Sequence, residues 1–179
     1  MSDIKSKYGL LAELDARKQI HDCLVRWCRG VDICDRDLIL SAYHDDAHDD
    51  HGSFKGSAHD FADWVIKLHL EHFVWTRHHH TNERVEIDGD KASVESYVMG
   101  VLRSRKDGNL FDMVGYGRYL DRFECRNGIW RIVDRFTAAD ATRIDKVVAE
   151  FNEPLAQMMY HGTRDKDDIS YQYFNREFK

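Results

Sequence analysis

The chain of 179 residues is long enough for one domain with its own hydrophobic core and short for two. Hydrophobic residues make up 42% of it, and its 4 Trp, 8 Tyr and 9 Phe exclude an intrinsically disordered protein, which has few aromatic side chains to bury. A formal net charge of −6 provides no basic surface for phosphate backbones, so the composition does not predict a nucleic-acid-binding protein.

The cellular location is predicted from what the chain lacks. The segment Met1–Tyr8 has no apolar signal-peptide core, and no run approaches the ~20 apolar residues of a membrane span. The cysteines form no C-x-x-C pair; they are Cys23, Cys28, Cys34 and Cys125. We therefore expect reduced thiols in a soluble cytoplasmic protein without a membrane partner.

The first third of the chain has the periodicity of helices. Apolar residues at spacings of three and four predict an amphipathic helix from about Gly9 to Val31. Asp35 is a suitable N-cap for a short second helix, and an irregular strand is predicted over Asp45–Lys55. A capping-box pattern, Ser57–Asp60, then begins a third helix.

From Trp75 the pattern changes to strands separated by Asp-Gly and Asn-Gly turns. The predicted strands are Thr76–Ile87, Ala92–Arg105, Leu110–Cys125 and Ile129–Phe136. Helices followed by a meander predict an α+β fold, with the helices against one face of a curved antiparallel sheet. Beyond Pro154 we expect a short helical piece, and from His161 a polar, charged tail with little reason to be ordered.

Two polar motifs are candidates for a reactive site. Asp32 ends the long helix in apolar surroundings, where a carboxylate is either solvated or orients a basic group across a pocket. The second motif is the histidine run in the first long strand. Strand alternation places His78, His80 and Asn82 on one face, and His79 and Thr81 on the other.

Neither of the two histidine clusters predicts a metal site. Adjacent histidines on a strand point to opposite faces, so the run His78–His80 cannot converge on one ion without distortion. The second cluster has no specific ligand spacing; it comprises His44, His48, Asp49, Asp50 and His51. Surface or pocket-edge histidines are the simpler interpretation of both.

The last predicted strand carries two arginines. Alternation places Arg131, Val133 and Arg135 on one face, opposite Trp130, Ile132 and Phe136. This face is interpreted either as a surface with ion pairs or as the rim of a pocket for an anion.

Four short motifs, in this order and spacing, resemble the SnoaL-like branch of the nuclear transport factor 2 superfamily. They are Trp27-x-x-x-Val31-Asp32-x-x-Asp35, Tyr43-His44-Asp45-Asp46-Ala47, Thr76-Arg77-His78-x-x-x-Asn82 and Asn127-Gly128-Ile129-Trp130. Within this branch the chain looks similar to scytalone dehydratase, hexachlorocyclohexane dehydrochlorinase and the bile-acid 7α-dehydratase. The similarity covers about Leu10 to Phe136. It implies a cone-shaped domain over residues 1–140, followed by a helical extension and polar tail over 141–179.

The resemblance also implies roles for individual residues. Asp32 matches the catalytic aspartate of the family, and His78 its catalytic histidine, because the family has asparagine four residues later, here Asn82. Arg135 stands where the dehydrochlorinase has arginine, and His51 replaces a water-holding tyrosine of scytalone dehydratase.

Other positions depart from the family. Val31 stands where scytalone dehydratase has tyrosine, and Trp27 stands where the bile-acid enzyme has tyrosine and the dehydrochlorinase has lysine. The usual carbonyl-activating tyrosines are therefore missing. The apolar pocket is expected to be lined by residues such as Trp27, Phe54, Trp64 and Phe73.

The resemblance implies a lyase that needs neither cofactor nor metal and that dehydrates, or eliminates a halide from, a cyclic hydrophobic small molecule. Asp32 would hold His78 as the acid/base, and Arg135 or His51 would stabilise negative charge. A ketosteroid-type isomerase and a non-catalytic ligand-binding protein, such as the small subunit of a ring-hydroxylating dioxygenase, remain alternatives. The family expectation for assembly is a homo-oligomer, with a trimer favoured.

Overall fold

A computed structural model describes residues 2–148, 154 and 158–174 of the chain. Along the chain these residues form α1 (Ser2–Asp32), α2 (Arg36–Leu40), β1 (Tyr43–Asp50), β2 (Lys55–Ser57), α3 (Ala58–His72), β3 (Trp75–Asp88), β4 (Lys91–Lys106), β5 (Asn109–Arg126), β6 (Ile129–Lys146) and α4 (Ile169–Phe174). The α+β class predicted from the sequence is confirmed.

Helices α2 and α3 begin at the caps that the sequence predicts, whereas α1 begins at Ser2, before its predicted start near Gly9. Helix α1 buries one stripe that includes Ile20, Leu24 and Trp27, as its apolar spacing predicts. The Asp35 side chain accepts a hydrogen bond from the backbone N–H of Leu38 (3.2 Å), which caps α2. Ser57 caps α3 in the same way, so both predicted N-caps are confirmed.

Within the described residues one curved sheet has six strands in the order β2-β1-β6-β5-β4-β3. The irregular strand predicted over Asp45–Lys55 is divided into β1 and β2 by a turn at Gly52, whose φ of 75° suits glycine. Strand β1 pairs with β6 in parallel, whereas the other pairs are antiparallel. The hydrophobic core lies between α1, α3 and the inner face of this sheet.

Strand β6 is longer than predicted, since it runs to Lys146 and not to Phe136. Its second half has few large apolar residues, but it pairs with β5 as far as Phe111, so the partner strand overrides weak local propensity. The expected boundary between residues 1–140 and 141–179 therefore falls inside a strand, and the division into two parts stays a prediction.

The charged segment before α4 is docked onto the domain, so the expectation of a poorly ordered tail from His161 was wrong for residues 161–174. Asp168 is buried and accepts a hydrogen bond from Arg29 (2.8 Å), while Lys166 pairs with Asp35 (2.6 Å). Arg164 donates to the last carbonyls of α3. Specific ion pairs, which charge composition alone does not reveal, hold this segment. The helical piece predicted directly after Pro154 lies largely outside the described residues.

Among the residues that the structure describes, no helix is long and apolar enough to cross a membrane.

Candidate active site

A cavity of about 240 Å³ lies between the inner face of the sheet and helices α1 and α3. Most of its wall is apolar or aromatic, and three histidines are among its polar lining residues. The apolar and aromatic side chains include Trp27, Val31, Phe61, Trp64, Val65, Leu68, Val98, Leu102 and Tyr119, and the histidines are His51, His69 and His78. Such a wall suits a weakly polar ligand that is oriented by a few polar contacts.

The sheet side of the cavity is opened by glycines. His78 pairs with Gly100, Gly100 with Gly115, and Gly115 with Thr142, so these four residues form one row on the inner face. A Cβ atom at Gly100 would lie 3.7 Å from Nε2 of His78, and one at Gly115 would meet no atom within 4 Å. The missing side chains therefore leave free space directly in front of the His78 ring.

Asp32 and His78 are in direct contact at this point. The Nδ1 atom of His78 lies 2.7 Å from Oδ1 of Asp32, and the backbone N–H of His78 donates to Oδ2 at 3.0 Å. Asp32 is 7% exposed, so water contributes little to its solvation. Since the carboxylate engages both the ring and the backbone of His78, it fixes the ring orientation and leaves Nε2 as the nitrogen facing the cavity.

The neighbouring histidines do not share this position. His79 is exposed on the opposite face of β3, with its Nδ1 atom 3.4 Å from the carbonyl of Met99. His80 is nearly buried and has its Nδ1 atom 3.5 Å from Glu83. The choice of His78 over His79 therefore agrees with which ring lines the cavity.

Two polar residues beside the pair were missed from the sequence. The Thr76 hydroxyl donates to Oδ1 of Asp32 and lies 3.3 Å from Nδ1 of His69. The His69 ring stacks on that of His78 with 6.1 Å between centroids, and burial lowers the pKa of His69 to about 4. His69 follows Phe61 and Val65 at helical spacing on the buried side of α3, which is the signal that could have identified it.

His51 belongs to a second aspartate–histidine pair. Its Nδ1 atom contacts Oδ1 of Asp49, and the Tyr43 hydroxyl donates to Oδ2 of the same carboxylate. The indole N–H of Trp27 donates to the Tyr43 oxygen at 2.7 Å. Asp49 is fully buried, whereas the His51 ring reaches the cavity.

The histidine cluster of β1 does not converge on one point. His44 faces the carbonyl of Glu124 at 3.0 Å, and His48 is exposed beside Asp134. No group of three or more His, Cys, Asp or Glu side chains arranged to hold a metal ion occurs in the part of the chain that the structure describes.

Arg135 does not line the cavity. It is fully buried, and Nε and Nη2 each donate to Asp121 at 2.7 Å. Its guanidinium carbon lies 4.3 Å from the ring centroid of Trp27 and 4.2 Å from that of Tyr119. Arg135 is thus part of the core beneath the cavity. The sequence resemblance placed it in contact with the substrate, but it lies one layer of side chains behind the cavity wall.

The predicted faces of the last strand were wrong after Val133. The β5–β6 register shifts between Arg122 and Phe123, where a bulge inserts one residue into β6. Such an insertion reverses the alternation, so Arg135 is buried and Phe136 is 47% exposed.

Two further expected ligand contacts lie outside the cavity wall. Asn82 is exposed at an irregularity of the β3–β4 pairing and has a positive φ of 48°. Phe54 packs behind the wall, 5.2 Å from Trp64 and 5.7 Å from Phe61 between ring centroids. Trp64 lines the cavity as expected, but Phe73 does not.

Comparisons with known proteins agree with the motif resemblance. The model of the SnoaL-like domain family matches residues 12–135. No curated protein sequence matches the chain.

Solved structures with the same fold include several enzymes. A hexachlorocyclohexane dehydrochlorinase of type 2 is 21% identical with a TM-score of 0.70, over 80% of this chain and 97% of that chain. A type 3 enzyme from Novosphingobium barchaimii is 20% identical with a TM-score of 0.68, over 80% and 98%. A protein assigned as a scytalone dehydratase from Novosphingobium aromaticivorans is 19% identical with a TM-score of 0.66, over 80% and 91%. At these identities the likeness shows the shared cone-shaped fold of nuclear transport factor 2.

Proposed function

Because the chain belongs to the SnoaL-like domain family, we propose that it is a cofactor-free lyase acting on a cyclic hydrophobic small molecule. The reaction is a β-elimination, which releases water or a halide and leaves a carbon–carbon double bond. The observation that carries the proposal is the 2.7 Å contact between Asp32 and His78, with the free Nε2 of His78 facing an apolar cavity.

His78 acts as the base in this reaction. A histidine ring accepts a proton near neutral pH, and Nε2 takes it from a substrate carbon placed in the space above Gly100. Asp32 keeps the ring in one tautomer and stabilises the imidazolium that forms, as the aspartate does in a hydrolase triad. Such proton transfer supplies about 10²–10⁴-fold of rate enhancement.

The arrangement around Asp32 supports a functional role more than a structural one. A carboxylate at the C-terminal end of α1 faces the negative end of the helix dipole, and its burial adds a desolvation cost. Donors from β3 offset this cost, including the hydroxyl of Thr76. A simple ligand carrier has no need of such a pair, so this observation favours the enzyme over the carrier and the dioxygenase subunit.

The position of each residue relative to the cavity decides which of them can stabilise negative charge on a bound ligand. His51 lines the cavity, whereas Arg135 is held by Asp121 in the layer behind it. Of the two residues expected to stabilise negative charge, His51 is therefore the one that can contact a ligand. We propose that ring-containing, weakly polar molecules bind here, and that the protein acts in the cytoplasm as a homo-oligomer, with a trimer favoured.

The proposal is tested by mass spectrometry over a panel of hydroxylated and halogenated cyclic compounds. Wild type is compared with Asp32→Ala and His78→Ala, and with His79→Ala as a matched control on the same strand. The lyase is supported if wild type and His79→Ala release one water or hydrogen halide from a compound and Asp32→Ala and His78→Ala do not. Ring substrates rearranged without loss of mass would indicate the isomerase, and binding without reaction would indicate a carrier.

A further inference from the structure

The second aspartate–histidine pair borders the same aromatic ring as the first. The His51 ring stacks on Trp27 with 5.8 Å between centroids, and the His78 ring meets the edge of Trp27 at 6.1 Å. Both imidazoles line the one cavity, so a ligand lying against Trp27 is within reach of both. Two histidines with separate carboxylate partners provide one group to remove a proton and another to donate one.

The buried layer beneath the cavity places a carboxylate against His51. The buried layer contains two carboxylates, Asp49 and Asp121, and Arg135 is committed to Asp121 through two hydrogen bonds. Among the described residues, His51 is the basic side chain in contact with Asp49. A buried carboxylate without a cation is costly, and His51 is the group placed to supply positive charge to this layer.

The two buried tyrosines of this layer are neutral. Burial raises the pKa of Tyr43 and of Tyr119 well above the ordinary value, so both phenols keep their protons. Tyr43 accepts from Trp27 and donates to Asp49, which fixes the carboxylate in place. Because Nδ1 of His51 is held by Asp49, Nε2 is the nitrogen left to carry a proton toward a ligand.

We propose that His51 is the general acid of the elimination and that the leaving group is a hydroxyl, which makes the enzyme a dehydratase. This inference rests on the proposed lyase function. Nε2 of His78 takes a proton from the ring carbon, and the electrons of that C–H bond form the double bond. The carbon–oxygen bond breaks, and the oxygen takes the Nε2 proton of His51 and leaves as water. A proton then passes from His78 to His51 through solvent, which restores both residues.

A halide leaves as a stable anion and needs no proton, whereas hydroxide is a poor leaving group unless it is protonated. Matched substrates therefore separate the two roles. We would measure elimination from 4-hydroxy-2-decalone and from 4-chloro-2-decalone, after subtracting the uncatalysed rate. The proteins are wild type, His51→Gln, Asp49→Asn and His78→Gln, with His48→Gln as an exposed histidine control on the adjoining strand.

His51→Gln should slow loss of water by about 10²–10⁴-fold and change loss of hydrogen chloride by less than about threefold. Asp49→Asn should follow the same pattern more weakly, His78→Gln should lose both reactions, and His48→Gln neither. An equal loss of both reactions in His51→Gln overturns the acid role and leaves the lyase intact. Full activity of His78→Gln, or no reaction by wild type, overturns the lyase itself and the acid role with it.

Side-chain ¹⁵N NMR gives a readout that needs no turnover. At pH 7 both ring nitrogens of His51 should carry protons in wild type, and one of them should lose its proton in Asp49→Asn. A neutral His51 ring in wild type would overturn the proposal.

Discussion

Replacement of Arg135 by methionine tests whether this arginine supports the fold or binds the substrate. Arg135 and Asp121 are both fully inaccessible, and two hydrogen bonds of 2.7 Å join them. Burial raises the pKa of Asp121, and the positive charge of Arg135 acts against that rise. Removing the arginine therefore leaves a buried carboxyl that must take up a proton or remain an unpaired charge.

Breaking a buried ion pair from one side costs about 3–5 kcal/mol. With a urea m-value of about 2 kcal/mol per molar, the unfolding midpoint should fall by about 2 M. Urea denaturation followed by far-UV circular dichroism measures this shift. Arg84→Met is the matched control, because Arg84 pairs with Glu86 on the surface and its side chain is 71% exposed. That variant should lose less than about 1 kcal/mol.

The double variant Arg135→Met with Asp121→Leu should recover most of the loss, since an apolar pair can replace a buried ion pair at little cost. The structural account of Arg135 is refuted if Arg135→Met unfolds at the wild-type urea concentration while ligand binding or turnover falls. That result would indicate that Arg135 contacts the substrate, as the sequence resemblance implies.

Three other perturbations test separate parts of the account. Burial lowers the pKa of His69 to about 4. As pH falls from 6.5 toward 4, His69 therefore binds a proton in the unfolded chain but not in the folded one, which destabilises the fold. In urea titrations the free energy of unfolding of wild type should fall by up to about 3 kcal/mol over this pH range, and that of His69→Gln should fall by less. The same pH dependence in both proteins would contradict the assignment. Gly115→Leu places a side chain in the open cavity and should weaken ligand binding at least tenfold, about 1.4 kcal/mol, with Gly115→Ala much milder; unchanged binding in calorimetry would place the ligand elsewhere. Asp168→Ala removes the acceptor that holds the C-terminal segment, so trypsin should cut faster at Arg164 and Lys166, and equal cleavage rates would contradict the docking.

Much of the fold is predictable because it depends on local chemistry. The helix caps at Asp35 and Ser57 lie where short side-chain acceptors precede apolar periodicity. The second half of β6 was missed because its pairing with β5 is a long-range interaction. The docked segment around Asp168 was missed for a similar reason, since its partner Arg29 is 139 positions away in the chain.

The site was only partly predictable from the sequence. Family motifs placed Asp32 opposite His78, and the structure brings the two side chains into contact. The burial of Arg135 follows from a single bulge at Val133, which no propensity scale locates. The sequence presents Asp49 only as a member of a histidine–aspartate cluster, whereas in the structure it contacts His51 on the same short segment.

The central claim is that Nε2 of His78 removes a proton from the substrate, and chemical rescue tests it most directly. We would measure the elimination rate of His78→Gly with and without added imidazole, beside His79→Gly, on a substrate that wild type converts. The account predicts a loss of about 10²–10⁴-fold in His78→Gly, partial recovery with imidazole, and a near-wild-type rate for His79→Gly. A His78→Gly variant that works at the wild-type rate, or inactivity confined to His79→Gly, would contradict it.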